Sequence, residues 1–295
     1  MRMDISHTTR FDYDGEVQPG PHLVYLRPRE NPLLRVDHFQ LDVTPGAHVY
    51  WTRDDLDNLP ASIQFSTATT AIEIQSTCSV VTSEIPPLDF LVRDYANAFP
   101  FAYEPLHGLN LGVYLAAPER SVQQALKTWL ANRIPRQPRE TVAWLCAVNE
   151  LLCANLRYQR RDVPGIQRPL LTLELGTGSC RDYAVLLIEI ARTVGIAARF
   201  VSGYLFDALQ QESSAGDMHA WVEVYLPGAG WRALDPTHGI FCTSSYVPVA
   251  HAAVAESVNP VQGSFFSEKP ARARMTTRVQ VRPNGAERLG SLGVL

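Results

Sequence analysis

Two alternating runs, His219-Ala-Trp-Val-Glu-Val-Tyr-Leu226 and Gly230-Trp-Arg-Ala-Leu-Asp235, are joined across Pro227-Gly-Ala-Gly230. Alternation marks strands and the Pro/Gly-rich join marks a hairpin loop, so the two runs must lie side by side and antiparallel. His219 starts one strand and Asp235 ends the other, which puts both at the same end of the hairpin. Antiparallel neighbours are about 5 Å apart. An aspartate there can reach the imidazole and fix its tautomer while the other ring nitrogen faces a third group.

That third group is Cys180. Gly176, Gly178 and Ser179 lead the chain into a run in which Ala184, Leu187, Ile188 and Ala191 recur at helical spacing, with Gly195 in the C-cap position. Cys180 therefore falls at or within one residue of a helix N-terminus, where free N–H groups and the positive end of the dipole stabilise a thiolate and can receive an oxyanion. A thiol attacks an amide carbonyl only as thiolate, so it needs an imidazole to take its proton and a group to hold that imidazole. Asp182, in the first helical turn, opposes this by repelling a thiolate; the His219 imidazolium is expected to outweigh it. On strand alternation His219, Trp221, Glu223 and Tyr225 share one face, and Ala220, Val222 and Val224 the other. A lone histidine would read as an ordinary core or surface residue; its combination with Cys180 and Asp235 reverses that.

The 295 residues suffice for one large or two ordinary domains, and 46% hydrophobic with 19% charged residues is globular composition. A net charge of -4 without a Lys/Arg-rich run excludes a nucleic-acid surface and a polybasic membrane anchor from the expected partners. The N-terminus has no apolar signal-like region and no stretch of about 20 apolar residues occurs, so a cytoplasmic protein is expected. The five cysteines, Cys78, Cys146, Cys153, Cys180 and Cys242, show no Cys-x-x-Cys spacing and are expected to be mostly reduced thiols.

Residues 1–85 read as a small all-β domain, a sandwich or barrel, with strands over Val36–Val43, Val49–Thr52 and Ala71–Thr82. Its expected role is scaffold, ahead of substrate platform or subunit contact; the oligomeric state, a homo-oligomer included, stays open. A proline-rich connection follows over 86–117, and then the catalytic part over 118–285. In that part helices are predicted from Pro118 to Ile134, where Pro135 stops the first, and from Arg139 to Asn155. Cys146 and Cys153 lie on the buried stripe of the second helix and read as small buried hydrophobes. Strands are predicted over Ala198–Leu205, His219–Leu226, Gly230–Asp235 and Arg274–Val281. The polar stretch Asp207–Met218, leading directly into His219, reads as a lid that sets substrate range.

Four ordered blocks, Gly178-Ser-Cys-Arg-Asp-Tyr-Ala184, Gly195-Ile-Ala-Ala-Arg-Phe-Val-Ser-Gly-Tyr204, His219-Ala-Trp-Val-Glu-Val-Tyr225 and Gly230-Trp-Arg-Ala-Leu-Asp-Pro-Thr237, resemble the transglutaminase-like superfamily. The resemblance is to its bacterial candidate cysteine proteases with an N-terminal β domain. His7-Thr-Thr-Arg-Phe11 and Leu26-Arg-Pro-Arg29 resemble that domain. The resemblance implies an α+β, papain-like core, a nucleophile helix packed on an antiparallel sheet, preceded by the small β domain. It implies Cys180 as nucleophile, His219 as general base and Asp235 as orienting acid. Ser179 stands where a small apolar residue is usual, and no tryptophan just upstream matches the indole oxyanion donor of animal transglutaminases. The Cys180 N–H is then the one nameable donor. No Asp-x-Asp-x-Asp-Gly calcium loop occurs, and no cofactor or metal is implied.

The expected reaction is acyl transfer through a thioester on a peptide or protein substrate. Water as acceptor gives a protease or amidase, which is preferred; an amine as acceptor gives a transglutaminase with the same triad. A peptide-binding module that lost turnover is a separate class, against which the intact triad argues. A Cys/His metal site drawn from Cys180, His219, His238 and Cys242 matches no standard zinc spacing. His238 reads as a rim residue, and Tyr183, Tyr204 and Trp221 as packing groups.

Overall fold

The structure, a computed structural model, describes residues 1–134, 139–161, 165–206 and 218–284. The N-terminal sheet is built on one long strand, β1 (Arg2–Val24), whose burial alternates along its first half. Met3, Ile5, His7 and Thr9 point inward and their neighbours outward, the period of two that a half-buried strand imposes. β2 (Leu34–Thr44), β3 (Ala47–Trp51), β4 (Ala61–Phe65) and β5 (Thr69–Thr82) follow, in the order β2-β5-β1-β4-β3. The first half of β1 pairs with β5 and the last residues, His22–Val24, with β4.

The connection over 86–117 is packed against the rest of the fold. Phe99 stacks on Trp144 with ring centroids 4.2 Å apart. The Tyr103 hydroxyl donates to the Tyr225 carbonyl at 2.7 Å and accepts from the Ala197 N–H at 3.1 Å. The helices of the core are α1 (Arg120–Ala131), α2 (Thr141–Asn155), α3 (Pro169–Leu175) and α4 (Cys180–Thr193). The first two are shorter than the predicted spans. Arg139 and Glu140 leave the second helix to bridge Ala98 and Phe99.

A five-stranded antiparallel sheet carries the core: β6 (Ala198–Leu205), β7 (His219–Leu226), β8 (Gly230–Asp235), β9 (Ile240–Phe241) and β10 (Tyr246–Ala252), in the order β9-β8-β7-β6-β10. α4 lies across it, packing Ala184, Leu187, Ile188 and Ala191 against a face that includes Ala220, Val222 and Val224. Each fully buried leucine or isoleucine there contributes about 2 kcal/mol by removal from water. The helix ends where Gly195 adopts φ 85°; the Ile196 N–H reaches back to the Ala191 carbonyl and the Gly195 N–H to that of Arg192, a Schellman ending.

The last two strands, β11 (Val261–Phe266) and β12 (Ala273–Pro283), belong to the other sheet. β12 pairs with β1 from Met3 to Tyr13 and β11 with β1 from Gln18 to Val24. The span 118–285 expected for the catalytic part thus includes two strands of the N-terminal sheet. Met3, Ile5, Cys78 and Val80 share one continuous core with α4 and β7, so the two sheets pack directly on each other.

Buried histidines give this fold an acid limit. His7 is 1% exposed, bonded to the Tyr204 hydroxyl at 3.2 Å and to Thr9 Oγ1 at 3.1 Å, and burial lowers its pKa to about 4. Burial, then the Arg199 and Arg29 charges, lower that of His251 to about 2. Both titrate near 6.5 when unfolded, so the unfolded chain takes up the extra protons. The stability that these two histidines lend is full above about pH 6.5 and falls on acidification toward the folded values, by about 1 kcal/mol per histidine per pH unit. The urea midpoint is expected to drop between about pH 6.5 and about pH 4.5, and to drop less in His7→Gln; an equal drop in both would remove His7 from this account.

Candidate active site

Cys180 is the first residue of α4 and is 8% exposed. Its approach is narrow. Thr177 and Gly178 form a short parallel bridge with Arg157 and Tyr158, and the Gln159 N–H donates to the Gly178 carbonyl at 2.8 Å. A Cβ on Gly178 would lie 3.0 Å from Asp182 Cβ and 3.3 Å from Thr172 Cγ2, so the close approach needs glycine.

Asp182, fully buried, stabilises this corner. Its Oδ2 accepts the Ser179 N–H and hydroxyl, both at 2.8 Å, and its Oδ1 accepts Arg161 and the Gln167 N–H, both at 2.7 Å. Burial would raise its pKa, but bonds from Gln167, Ser179 and Arg161 hold it below the usual carboxylate range. The repulsion expected between Asp182 and a thiolate is therefore largely offset by the guanidinium beside it. The Asp182 and Tyr183 N–H groups both turn onto the Ser179 carbonyl, leaving the Cys180 N–H at the helix terminus as a donor without an intrahelical partner.

The hairpin forms as the sequence predicts, with Val222 opposite Leu234 and Leu226 opposite Gly230. It brings His219 Nε2 to 2.7 Å from Asp235 Oδ2, with side-chain exposures of 12% and 0%. Nδ1 is the ring nitrogen not engaged by Asp235, and His219 also interacts with the Cys180 side chain. Burial alone would lower the imidazole pKa; the Asp235 hydrogen bond, the Cys180 interaction and the Asp235 charge overcome it and raise it to about 10. The imidazole is therefore held as imidazolium. The stability this lends is full below about pH 6.5, the ordinary value, and is lost as pH rises through the folded one. Trp221, 1% exposed, lies along the ring with centroids 6.2 Å apart.

Asp235 has more partners than the sequence discloses. Oδ2 also accepts His238 Nδ1 and the Tyr246 hydroxyl, each at 2.7 Å, while Oδ1 accepts the Thr237 N–H at 2.8 Å. Burial opposes its ionisation, but the bonds from His219, His238 and Tyr246 hold its pKa far below the carboxylate range. His238, read from sequence as a rim residue, is 41% exposed at its side chain, yet it is bonded to the carboxylate that holds His219. The only signal for this was its place three residues past Asp235 in a Pro-Thr turn. Tyr246 gave no local signal, because β6 separates its strand from the hairpin within the sheet.

His219, Asp235 and His238 place three metal-type donor atoms within 4.8 Å of one another. One nitrogen of each histidine is in a 2.7 Å bond to Oδ2. The four-residue set of Cys180, His219, His238 and Cys242 does not recur in that cluster. Cys242 lies instead among Val201, Trp221 and Tyr246.

The other thiols differ from Cys180 in their surroundings. Burial, then Asp4, pushes Cys78 up to about 12; burial raises Cys146 and Cys153, and raises Cys242 well above the ordinary thiol value. Cys146 and Cys153 are half-buried, and Cys153 Sγ lies 3.3 Å from the Thr237 carbonyl behind the Asp235 turn. Tyr183 and Tyr204 are both 1% exposed, as packing groups should be. The stretch read as a lid lies outside the described residues except for Met218, which packs against the cores of both sheets. Among the described residues no helix is long and apolar enough to cross a membrane.

Residues 128–236 match the family described as the transglutaminase-like superfamily, and residues 3–81 match the bacterial transglutaminase-like N-terminal region. An uncharacterised protein of Mycobacterium leprae is 23% identical over 278 residues, covering 90% of this chain and 93% of its own. A protein-glutamine gamma-glutamyltransferase of Pseudomonas aeruginosa is 36% identical over 69 residues, 22% of this chain and 10% of its own. The crystal structure of a candidate cysteine protease from Cytophaga hutchinsonii covers 97% of this chain and 92% of its own, with a TM-score of 0.72 at 17% identity. That likeness is one of fold, papain-like α+β with an N-terminal β region.

Proposed function

Since the chain belongs to the transglutaminase-like superfamily, we propose that it is a thiol acyltransferase in which Cys180, His219 and Asp235 form the catalytic triad. Cys180 Sγ attacks the carbonyl carbon of a peptide or side-chain amide. The C–S bond forms, the carbonyl electrons move to oxygen beside the Cys180 N–H, and their return expels the amine, which takes its proton from His219. The thioester is then resolved by a nucleophile whose proton passes to His219 as the C–S bond breaks.

Water as that nucleophile gives a carboxylic acid and makes the protein a protease or amidase. This is the preferred outcome, because water needs no acceptor subsite, whereas amine transfer requires a cleft that binds the amine and excludes water. The observation that carries the reading is the His219 ring, bonded through Nε2 at 2.7 Å to the fully buried Asp235 carboxylate and interacting with Cys180 at the start of α4.

The test is iodoacetamide labelling, mapped by peptide mass spectrometry from about pH 5 to about pH 8. Cys180 is expected to label fastest of the five thiols, and most clearly at the acid end, where an ordinary thiol of pKa about 8.5 is almost wholly protonated. If it labels no faster than Cys78 or Cys242, the triad is not working and a peptide-binding module becomes the better description. With a reactive Cys180 in hand, acyl donors offered with and without added methylamine separate hydrolysis from transfer by the product formed.

A further inference from the structure

We propose that His238 is a positioning residue for this reaction, holding the Asp235 carboxylate in the orientation that serves His219. The proposal rests on the triad reading above and adds a residue to it.

A carboxylate at the end of a strand can rotate about two side-chain bonds, and it orients an imidazole only if something fixes the plane of its oxygens. The Thr237 N–H fixes Oδ1 at 2.8 Å. Oδ2, the oxygen His219 uses, is fixed by His238 Nδ1 and the Tyr246 hydroxyl, both at 2.7 Å. These are short, charge-assisted contacts.

The backbone that presents His238 is itself clamped. The Gly239 N–H closes onto the Asp235 carbonyl at 2.8 Å, and Asn149 Nδ2 on α2 donates to the Asp235 and Ile240 carbonyls at 3.2 and 3.0 Å. Gly239 has φ 71°, and a Cβ there would lie 3.0 Å from Cys153 Cβ, so the turn sits directly on α2. A 41% exposed histidine with no such task would be free to turn into water. Here the ring is bonded to Asp235 Oδ2 while the next residue's N–H closes onto the Asp235 carbonyl.

The number of donors also matters. A carboxylate oxygen offers about two lone-pair sites, yet Oδ2 takes three donors, so His238 and His219 share its charge. His238 therefore takes part in setting where the Asp235 carboxylate sits relative to the His219 ring. The two ring centroids are 5.5 Å apart, leaving no room for another side chain between them.

The test compares wild type, His238→Ala and His238→Asn by the second-order rate of Cys180 alkylation at about pH 6.5, with Tm measured in parallel. An Asn Nδ2 stands close to where His Nδ1 stands and can donate to the same oxygen. His238→Ala is expected to slow alkylation about tenfold, the scale at which small misplacements act, with Tm nearly unchanged. His238→Asn is expected to recover most of the rate, and free imidazole at tens of millimolar to recover part of it in His238→Ala.

Equal rates in all three proteins would overturn the proposal, as would equal slowing in both variants without rescue by imidazole. Either result differs from failure of the triad reading itself, in which wild-type Cys180 shows no preferential labelling at all.

Discussion

His219→Ala is expected to reduce alkylation of Cys180 at about pH 6 by about two orders of magnitude and to abolish turnover. Cys180 is 8% exposed and begins a helix whose first-turn carboxylate is paired with Arg161, so the aspartate adds little repulsion and the helix terminus only a modest attraction. The large remaining charge beside the sulfur is the imidazolium. Without it the thiol has no nearby proton acceptor, and an ordinary thiol of pKa about 8.5 is only about 0.3% ionised at pH 6. Loss of a positioned acid–base group removes a further ~10²–10⁴ from the chemical step. The measurement is the pH profile of labelling by peptide mass spectrometry. An unchanged profile in the variant would falsify the pairing of Cys180 with His219.

Asp235→Ala is expected to affect both stability and rate. The carboxylate is 0% exposed and accepts His219, His238, Tyr246 and the Thr237 N–H, so its removal strands several donors in a buried place. Each unsatisfied donor costs about 1–3 kcal/mol, tempered where water can reach, so a loss of about 3 kcal/mol or more is expected in urea unfolding. Asp235→Asn keeps the shape and loses the charge. It should be the milder of the two in stability, yet turnover should still fall by ~10³–10⁴, because an amide neither stabilises the imidazolium nor selects the right tautomer. An Asp235→Asn protein with wild-type turnover would show that the carboxylate only holds the fold together.

The parts of this site that could be read from sequence are those encoded by short-range patterns. The hairpin carrying His219 and Asp235 is written in a period of two and a glycine-rich loop. The helix of Cys180 is written in apolar spacing bounded by Ser179 and Gly195, and both elements occur where predicted. β1 was less legible, because Gly15 and Pro19-Gly20-Pro21 punctuate it. The strand continues through them since β11 and β4 supply partners and a register shift between Pro19 and His22 absorbs the irregularity. A Cβ on Gly20 would meet Ser264 Oγ at 2.7 Å, so that glycine marks strand proximity, not a turn. Tyr246 carries no signal in the sequence, and His238 reads there only as a rim residue, for the same reason. Their contact with Asp235 is made by the sheet and by a turn packed on α2, and neither contact repeats with any period along the chain.

β1 also determines when the protein can finish folding. It is made before β12, so Met3 must await Pro283, and Tyr13 must await Ala273, before that edge is covered. Until then a long strand of unpaired N–H and C=O groups stands open, the arrangement most prone to pairing with a wrong partner. Cys180, His219 and Asp235 are encoded between these two events, so their helix and hairpin can form while the sheet beneath them is incomplete. The arrival of β12 is then the step that closes the structure.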